Sequence, residues 1–502
     1  MNSITDAIKV YLLDRGYQVV TDETYQHIDE WLEWYQNDVG KFHKYTLFNG
    51  MVATTQERYK LGMAKKVCED WANLLLNEKV AIQAGDYSKR LEEILKCNNF
   101  YVRANQLAEI AFALGTAAFV EYKGADDEVI IDYIRADMIY PLSWDNGDIT
   151  ECAFGTPRTI NGTEGVYIQI HRYGHEEDGE RPDAYYIENK YVDARSGKEI
   201  EAPEDIEEVV DTRSVEPLFQ IITPNICNNI DLDSPFGISV YANAIDQLKG
   251  CDLVYDSYMN EFVLGRKRIM VPLSQAKRQM QAEGIEAPSF DPNDTVYYIL
   301  PEDRNSDNRL TEVDMQIRAS DHELGIQRSL DLLSLKAGMG AGQYKFESGG
   351  VKTATEVISD KSDLYQNRQK HCIVISKAVE NMVRAVSFLD TGGAADATVD
   401  FDDSIIEDVN ATIDKNIKLV TNGLRSKLTA IMDIYKYKKP EAEKELERIA
   451  ADNQITGQDI DWTDGDEDDN NSDEEDVPDD VEEEEDDVDE PSGKPAGGGS
   501  CR

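Results

Sequence analysis

An α+β fold, with long helices and a separate antiparallel sheet, is what this sequence predicts, and three observations carry the prediction. In Glu57 to Leu76, the residues Leu61, Ala64, Cys68, Trp71, Leu74 and Leu75 recur at three- and four-residue steps, the period that lays an apolar stripe along a helix. Between Thr116 and Asp193 the pattern changes to short runs rich in Val, Ile, Tyr and Phe, punctuated by Gly, Asp and Asn, as strands are. After residue 238 long helical patterns return, so helices and strands occupy different stretches of chain.

In order along the chain, the first hundred residues are expected to be helical. Strands are expected at Ala118–Tyr122, Val129–Tyr133 and Val166–Ile170. The acidic stretch Pro203 to Glu216 has no period and reads as a surface loop. A turn at Ser234-Pro-Phe-Gly237 starts a helix from about Ser239 to Leu264, with Ile245, Leu248, Asp252, Tyr255, Tyr258, Met259 and Phe262 on one side; at 1.5 Å per residue it would be roughly 39 Å long. Gly265 stops it, and Arg266, Lys267 and Arg268 follow where the helix dipole favours cations.

Arg268–Pro272 and Thr295–Leu300 look like strands around a helical insert at Ser274 to Glu283, a small α/β module. A second helix, about Ser320 to Ala337, carries Leu324, Ile326, Leu330, Leu333 and Leu335. Glycine-rich chain follows, Gly338-Met-Gly-Ala-Gly342 and then Gln343 to Gly350. The capping box Thr353-Ala-Thr-Glu356 opens the longest helical pattern, to about Leu389 and roughly 55 Å, which Gly392-Gly393 ends. Thr398–Phe401 reads as a short strand, and Asp402 to Ala450 as helices. Beyond Asp459 the chain cannot bury enough apolar surface to offset its ordering entropy, so disorder is expected there, and the terminal Gly497 to Arg502 looks like linker.

The chain has 502 residues, enough for two or three domains, and 41% hydrophobic residues is ordinary for a globular protein. Its formal net charge is −48, but Asp459 to Glu490 holds 21 acidic residues and no basic one, which leaves −27 for the rest. So acidic a body repels nucleic acid on average, except where cations gather locally. Seven cysteines are scattered singly with no C-x-x-C pair, as in a reduced cytoplasmic protein. The N-terminus lacks a basic n-region and an apolar h-region, so no secretion signal is expected. The most apolar run, Ala108 to Val120, is too short to span a bilayer, so no membrane partner is expected.

Motifs for catalysis or cofactors fail on spacing. Gly349-Gly-Val-Lys352-Thr353 is the nearest stretch to a phosphate-binding loop, but it puts Val between Gly and Lys, and Gly338-x-Gly-x-Gly342 follows a helix instead of a strand. His171, His175 and Glu176 fall in a strand-turn context where a four-residue step does not put two imidazoles on one face, so a solvated turn is expected in place of a metal site. Asp183, Glu188 and Lys190 superficially resemble a metal-dependent nuclease, yet they lie too close together in one hairpin. No catalytic residue, metal or cofactor is expected. The cations Lys361, Arg368, Lys370, Lys377 and Arg384 are interspersed with Asp and Glu and read as a solvated helix face. More suggestive are Lys336 and Lys352, which flank the glycine-rich stretch: a mobile loop carrying Gln343, Tyr344, Lys345 and Lys352 can touch a phosphate backbone without reading bases.

Ser234-Pro-Phe-Gly-Ile-Ser-Val-Tyr-Ala-Asn-Ala-Ile-Asp-Gln-Leu-Lys-Gly250, with Asp252-Leu-Val-Tyr-Asp256 and Asn260-Glu-Phe262, resembles portal proteins of long-tailed phages of Gram-positive bacteria. So do Gly349-Gly-Val-Lys-Thr-Ala-Thr-Glu-Val357 and Thr421-Asn-Gly-Leu-Arg-Ser-Lys-Leu-Thr429. The resemblance runs from about residue 230 to 450 and is looser before it. It implies a non-enzymatic dodecameric ring at one capsid vertex of the virion, assembled in the host cytoplasm, through which double-stranded DNA is packaged and ejected without sequence-specific binding. It also implies docking of the terminase large subunit and then a head-tail adaptor, and contact with major capsid and scaffolding proteins. Residues 1–238 would be the wing, 239–264 and 318–337 stem helices, 265–317 the clip, and 338–352 the tunnel loop. Residues 353–401 would be a wing-spanning helix and short strand, 402–460 a helical crown, and 461–502 the disordered tail. Arg266, Lys267 and Arg268 would then mark the clip–stem junction, and Lys336, Gln343, Tyr344, Lys345 and Lys352 the channel. Rival readings are a phage-associated nuclease or ATPase and an acidic scaffold or chaperone acting through its tail.

Overall fold

The computed structural model describes residues 3–48, 50, 52–77, 80–124, 126–160, 163–176, 179–203, 206–265, 268–272, 297–300, 311–313, 316–345, 362–401, 409–435, 437 and 439–456. The chain forms two compact units, Met1–Asp408 and Val409–Arg502.

The first unit is α+β. Helices α1 (Ser3–Asp14), α2 (Asp22–Tyr35), the single turn α3 (Gly40–His43), α4 (Met63–Leu75), α5 (Ser88–Cys97) and α6 (Phe100–Leu114) precede the main sheets. Of the stripe expected on α4, Ala64, Cys68, Trp71 and Leu75 are buried, joined by Val67 and Ala72, whereas Leu74 is half-buried and Leu61 precedes the helix. Helix α6 buries Phe100, Ala104, Leu107, Ala108 and Ala111 to Leu114, with Trp71 stacked on its Phe112 at 5.7 Å between ring centroids.

Five strands, β6 (Ile139–Asp145), β7 (Asp148–Ile160), β8 (Thr163–Tyr173), β9 (Tyr185–Asp193) and β10 (Val209–Asp211), form an antiparallel sheet in the order β10-β9-β8-β7-β6. In β8 the alternate residues Val166, Ile168 and Ile170 are wholly buried, the period-two signature of a strand. A second sheet has the order β11-β4-β5, with β4 (Ala117–Lys123), β5 (Val129–Arg135) and β11 (Phe219–Ile222). Helix α7 (Ile245–Leu264) leads into β12 (Arg268–Pro272), which pairs in parallel with β13 (Tyr297–Leu300) and antiparallel with β14 (Thr311–Val313). Helix α8 (Ala319–Lys336) returns alongside α7, and the thirty-residue α9 (Ser362–Thr391) buries Leu364, His371, Ile375, Val379, Met382 and Val386. Strand β15 (Thr398–Asp400) closes on β3 (Ala81–Gln83). The second unit contains α10 (Val409–Thr421), α11 (Lys427–Tyr435) and α12 (Lys439–Thr456).

Several expectations are corrected. The first hundred residues also hold a hairpin, β1 (Lys44–Phe48) with β2 (Ala53–Glu57), and α4 starts only at Met63. The signal for it was Asn49-Gly50 between two short runs. The helix expected from Ser239 is α-helical only from Ile245, because Ser239 Oγ and Val240 N donate to Phe112 O and Tyr241 Oη to Trp31 O, holding this stretch as a buried turn and a short 3-10 segment. The acidic loop contains β10, whose backbone completes the edge of β9. His171 is not in a solvated turn; it is a buried residue of β8 between the edges of Phe154 and Phe219, at 5.4 and 5.5 Å. Arg368 is likewise buried in place of solvated, with Nε donating to Leu74 O at 2.8 Å. The helical insert at 274–283 and the capping box at 353–356 lie outside the described residues.

Candidate functional site

The glycine-rich stretch after α8 begins as a helix C-cap. Gly338, Gly340 and Gly342 take φ of 79°, 79° and 78°, the left-handed region that favours glycine, so the chain turns at every second residue. The turns are tied to the body. Trp71 Nε1 donates to Ala337 O at 3.1 Å, Asn367 Nδ2 to Gly338 O at 2.8 Å and Ser334 Oγ to Gly340 O at 2.5 Å. Met339 between them is buried.

The residues assigned to the channel from sequence divide into three groups. Lys336, the last residue of α8, and Gln343 and Lys345 are exposed. Tyr344 is half-buried against the core: Gln327 Nε2 donates to its carbonyl at 2.7 Å and its hydroxyl reaches Met339 Sδ at 3.1 Å. Burial, followed by the nearby charge of Asp70, pushes its phenol well above the ordinary range. The chain through Tyr344 is therefore tied to the body by hydrogen bonds, and the remainder of the stretch, from residue 346, lies outside the described residues. Lys345 folds over Gly342, where a Cβ would meet its Cε at 2.4 Å. Lys352 lies outside the described residues. So do Arg266 and Lys267, whereas Arg268 is a half-buried strand residue opposite Val313.

Sequence reasoning missed the groups that set this geometry. At the mouth of the strand module, Arg318 at the start of α8 grips Glu261 of α7 with both arms, Nε to Oε1 at 3.1 Å and Nη2 to Oε2 at 3.0 Å, and His322 Nε2 stands 3.6 Å away. The hydrogen bonds from Arg318 hold the Glu261 carboxyl down to about 2. On the other side of α7, Asp252 Oδ1 accepts Leu61 N at 2.8 Å and Asp256 Oδ1 accepts Tyr59 N at 2.9 Å. Val39 N donates to His43 Nδ1, which leaves Nε2–H to donate to Asp252 Oδ2 at 3.0 Å. Acidic residues four apart on a helix signal one face, but nothing in the sequence names their partners.

The nuclease-like trio does not converge. Glu188 is taken by Arg172, which also donates to Glu180 at 2.6 Å; Lys190 is taken by Glu208; and Asp183 lies in the turn before β9. Burial pushes the pKa of His171 down to about 3. Among the described residues no group of three or more His, Cys, Asp or Glu is placed to hold a metal ion, and no helix is long and apolar enough to cross a membrane.

The model of the phage portal protein family, SPP1 Gp6-like, matches residues 18–459. The chain belongs to that family. The match reaches into both units and covers every element from α2 to α12; α1 precedes it. Solved structures similar to this portal-family chain include the neck of an empty GTA particle computed with C6 symmetry, at 12% identity and a TM-score of 0.40, covering 74% of this chain and 89% of that one. The neck of a native GTA particle computed with C12 symmetry matches at 12% identity and 0.39 over the same shares. No curated protein matches the sequence. Portal proteins are structural, and the assignment rests on the family model alone.

Proposed function

We propose that this chain is the subunit of a dodecameric portal ring at one capsid vertex, the passage for double-stranded DNA during packaging and ejection and the docking site first for terminase and then for a head-tail adaptor. The observation that carries the reading is the family match over residues 18–459. In this reading residues 1–238 form the wing, α7 and α8 the stem, and the β12–β14 module between them the clip. Residues 338–352 narrow the channel, 353–401 cross the wing, 402–460 form the crown and 461–502 the acidic tail. The bidentate Glu261–Arg318 contact supports a rigid stem–clip junction, since two parallel N–H···O bonds fix orientation as well as distance.

The charge fits the task. Each phosphate that a protein neutralises adds affinity through counterion release, so a strongly cationic wall would hold DNA still. An acidic chain with the exposed cations Lys336 and Lys345, and with Lys352, near the narrowing lets it slide. Negative-stain micrographs of the purified chain, alone and with capsid proteins, test the reading: closed rings with a central hole are expected, and monomers under every salt and concentration condition would refute it. For the loop cations, Lys345→Ala with Lys352→Ala should form rings and package at an altered rate; an unchanged rate removes the cations from the mechanism.

A further inference from the structure

The three helices of the second unit leave their apolar faces uncovered. Among its described residues, the apolar side chains that are buried are Ala430, Ile431 and Ala442, two of them single methyl groups. A body of three helices between residues 409 and 456 is small enough that its core is marginal, so a further covering element matters to it. The faces converge. Ile417 and Val420 of α10, Ile431 and Ile434 of α11, and Leu446 and Ile449 of α12 line an open groove of about 240 Å³. Ile449 is 41% exposed, and Tyr435, which also lines the groove, 59%.

The chain itself supplies a fitting occupant. Helix α12 ends at Thr456 and Gly457 follows, the residue type that most readily reverses a chain at a helix end. Next comes Asp459-Ile-Asp-Trp462, whose Ile460 and Trp462 are the only large apolar residues between Thr456 and Val477. The lengths match. Ile449 and Leu446 stand seven and ten residues before Thr456, about 10 and 15 Å along the helix axis. Ile460 and Trp462 stand four and six residues after it, an extended reach of about 14 and 20 Å. A chain turning back at Gly457 can bring Ile460 level with Ile449 and Trp462 level with Leu446.

Patterning and charge favour the same occupant. In an extended segment Ile460 and Trp462 face one way and Asp459 and Asp461 the other, so the apolar pair can enter the groove while the carboxylates stay at its solvent edge. The lining holds no carboxylate, and its one charged residue is the exposed Lys427. Lys427 takes no part in the ion pairs among the described residues of this unit, Arg425–Asp433, Lys439–Glu443 and Arg448–Glu445. A short tether also holds the segment at an effective concentration of about a millimolar, an advantage that a second copy lacks. Duplex DNA would meet a single cation in an apolar groove, a poor match for a polyanion.

We infer that Ile460 and Trp462 dock in the groove between α10, α11 and α12 of their own chain, completing the core of the second unit and rooting the acidic stretch there; the inference does not rest on the ring reading. The test uses the full chain carrying Trp462→p-benzoylphenylalanine, with unlabelled and nitrogen-15-labelled copies mixed in equal amounts before assembly. Irradiation should link position 462 to residues 413–449 within one chain, so that the linked peptides are all light or all heavy. Heavy–light pairs would put a second copy's segment in the groove; these, linkage to the first unit or to added duplex DNA, or no linkage at all would overturn the inference. An independent arm leaves the groove residues intact. In I460S/W462S, hydrogen exchange at the amides of residues 409–456 should speed up about tenfold or more while the first unit is unaffected. Unchanged protection in the second unit would overturn the docking as well.

Discussion

Replacing His171 should flatten part of the acid sensitivity of this protein. The imidazole lies in β8 with Phe154 and Phe219 edge-on to it, and neither ring nitrogen has a hydrogen-bond partner. Burial pushes its pKa from about 6.5 to about 3. A depressed folded-state pKa means that stability is fully present above 6.5 and is lost as pH falls toward 3, because only the unfolded chain takes up the proton. The loss is about 1.4 kcal/mol per pH unit, so about 2 kcal/mol has gone by pH 5. His171→Leu removes this linkage whatever it does to packing at neutral pH. Urea unfolding followed by tryptophan fluorescence suits the measurement, since Trp31, Trp34, Trp71 and Trp144 all lie in the first unit. Between pH 7.5 and pH 5 the difference between variant and parent should move by about 2 kcal/mol in the variant's favour. Parallel profiles would refute the reasoning and mean that His171 has a partner or solvent access. His371, between Trp71 and Phe112 at 4.8 and 4.9 Å and pushed by burial to about 4, should add a similar dependence of its own.

The opposite sign is expected at Glu121. Its carboxylate is fully buried in β4 without a hydrogen-bond partner, and burial raises its pKa well above the ordinary carboxylate range, so its cost grows as pH rises past about 4.5. Glu121→Leu should raise the thermal midpoint at pH 8, by the equivalent of about 1–3 kcal/mol, and much less at pH 4.5; an equal effect at both would show that charge is not the cause. Gly237→Ala should lower stability by about 2–4 kcal/mol in a urea titration, because its Cβ would stand 2.4 Å from Gly115 O, and a neutral result would mean that this junction can open.

How much of this was legible in sequence depended on whether a residue's role is local. The stripe of α4, the span of α8 and the β12–β13 strands follow from periodicity, which is a property of neighbours along the chain. Hairpin β1–β2 was lost because Ala53-Thr-Thr-Gln-Glu57 has no polar–apolar alternation and its strands face no core, which left Asn49-Gly50 as a turn signal without strand patterns to flank it. His171 and Arg368 were assigned to solvent because polarity is only a prior for exposure, and the aromatic slot of one and the Leu74 carbonyl met by the other come from distant sequence. For the same reason the glycine-rich stretch was readable as a series of turns, but Trp71, Ser334 and Asn367, which hydrogen-bond to its first carbonyls, were not readable as its partners.

The motif that first pointed to the family fixes the position of a helix in this fold, and that has a physical logic. Phe236 packs edge-on against Tyr25, Gly237 permits the close approach to Gly115, Tyr241 fastens to the Trp31 carbonyl, and Asp252 and Asp256 collect the backbone N–H groups of Leu61 and Tyr59. All of them seat one helix, α7, against the rest of the first unit. A passage that must not read bases needs no base-reading side chains, and one that must not hold phosphates gains nothing from a cationic lining. What such a wall needs is the same helix placement in every copy, since a ring closes only if each subunit repeats the same rotation. Residues that fix the seating of α7 then matter more to the proposed channel than any single side chain exposed to it. A substitution at Asp252 should accordingly disturb ring geometry before it disturbs contact with DNA.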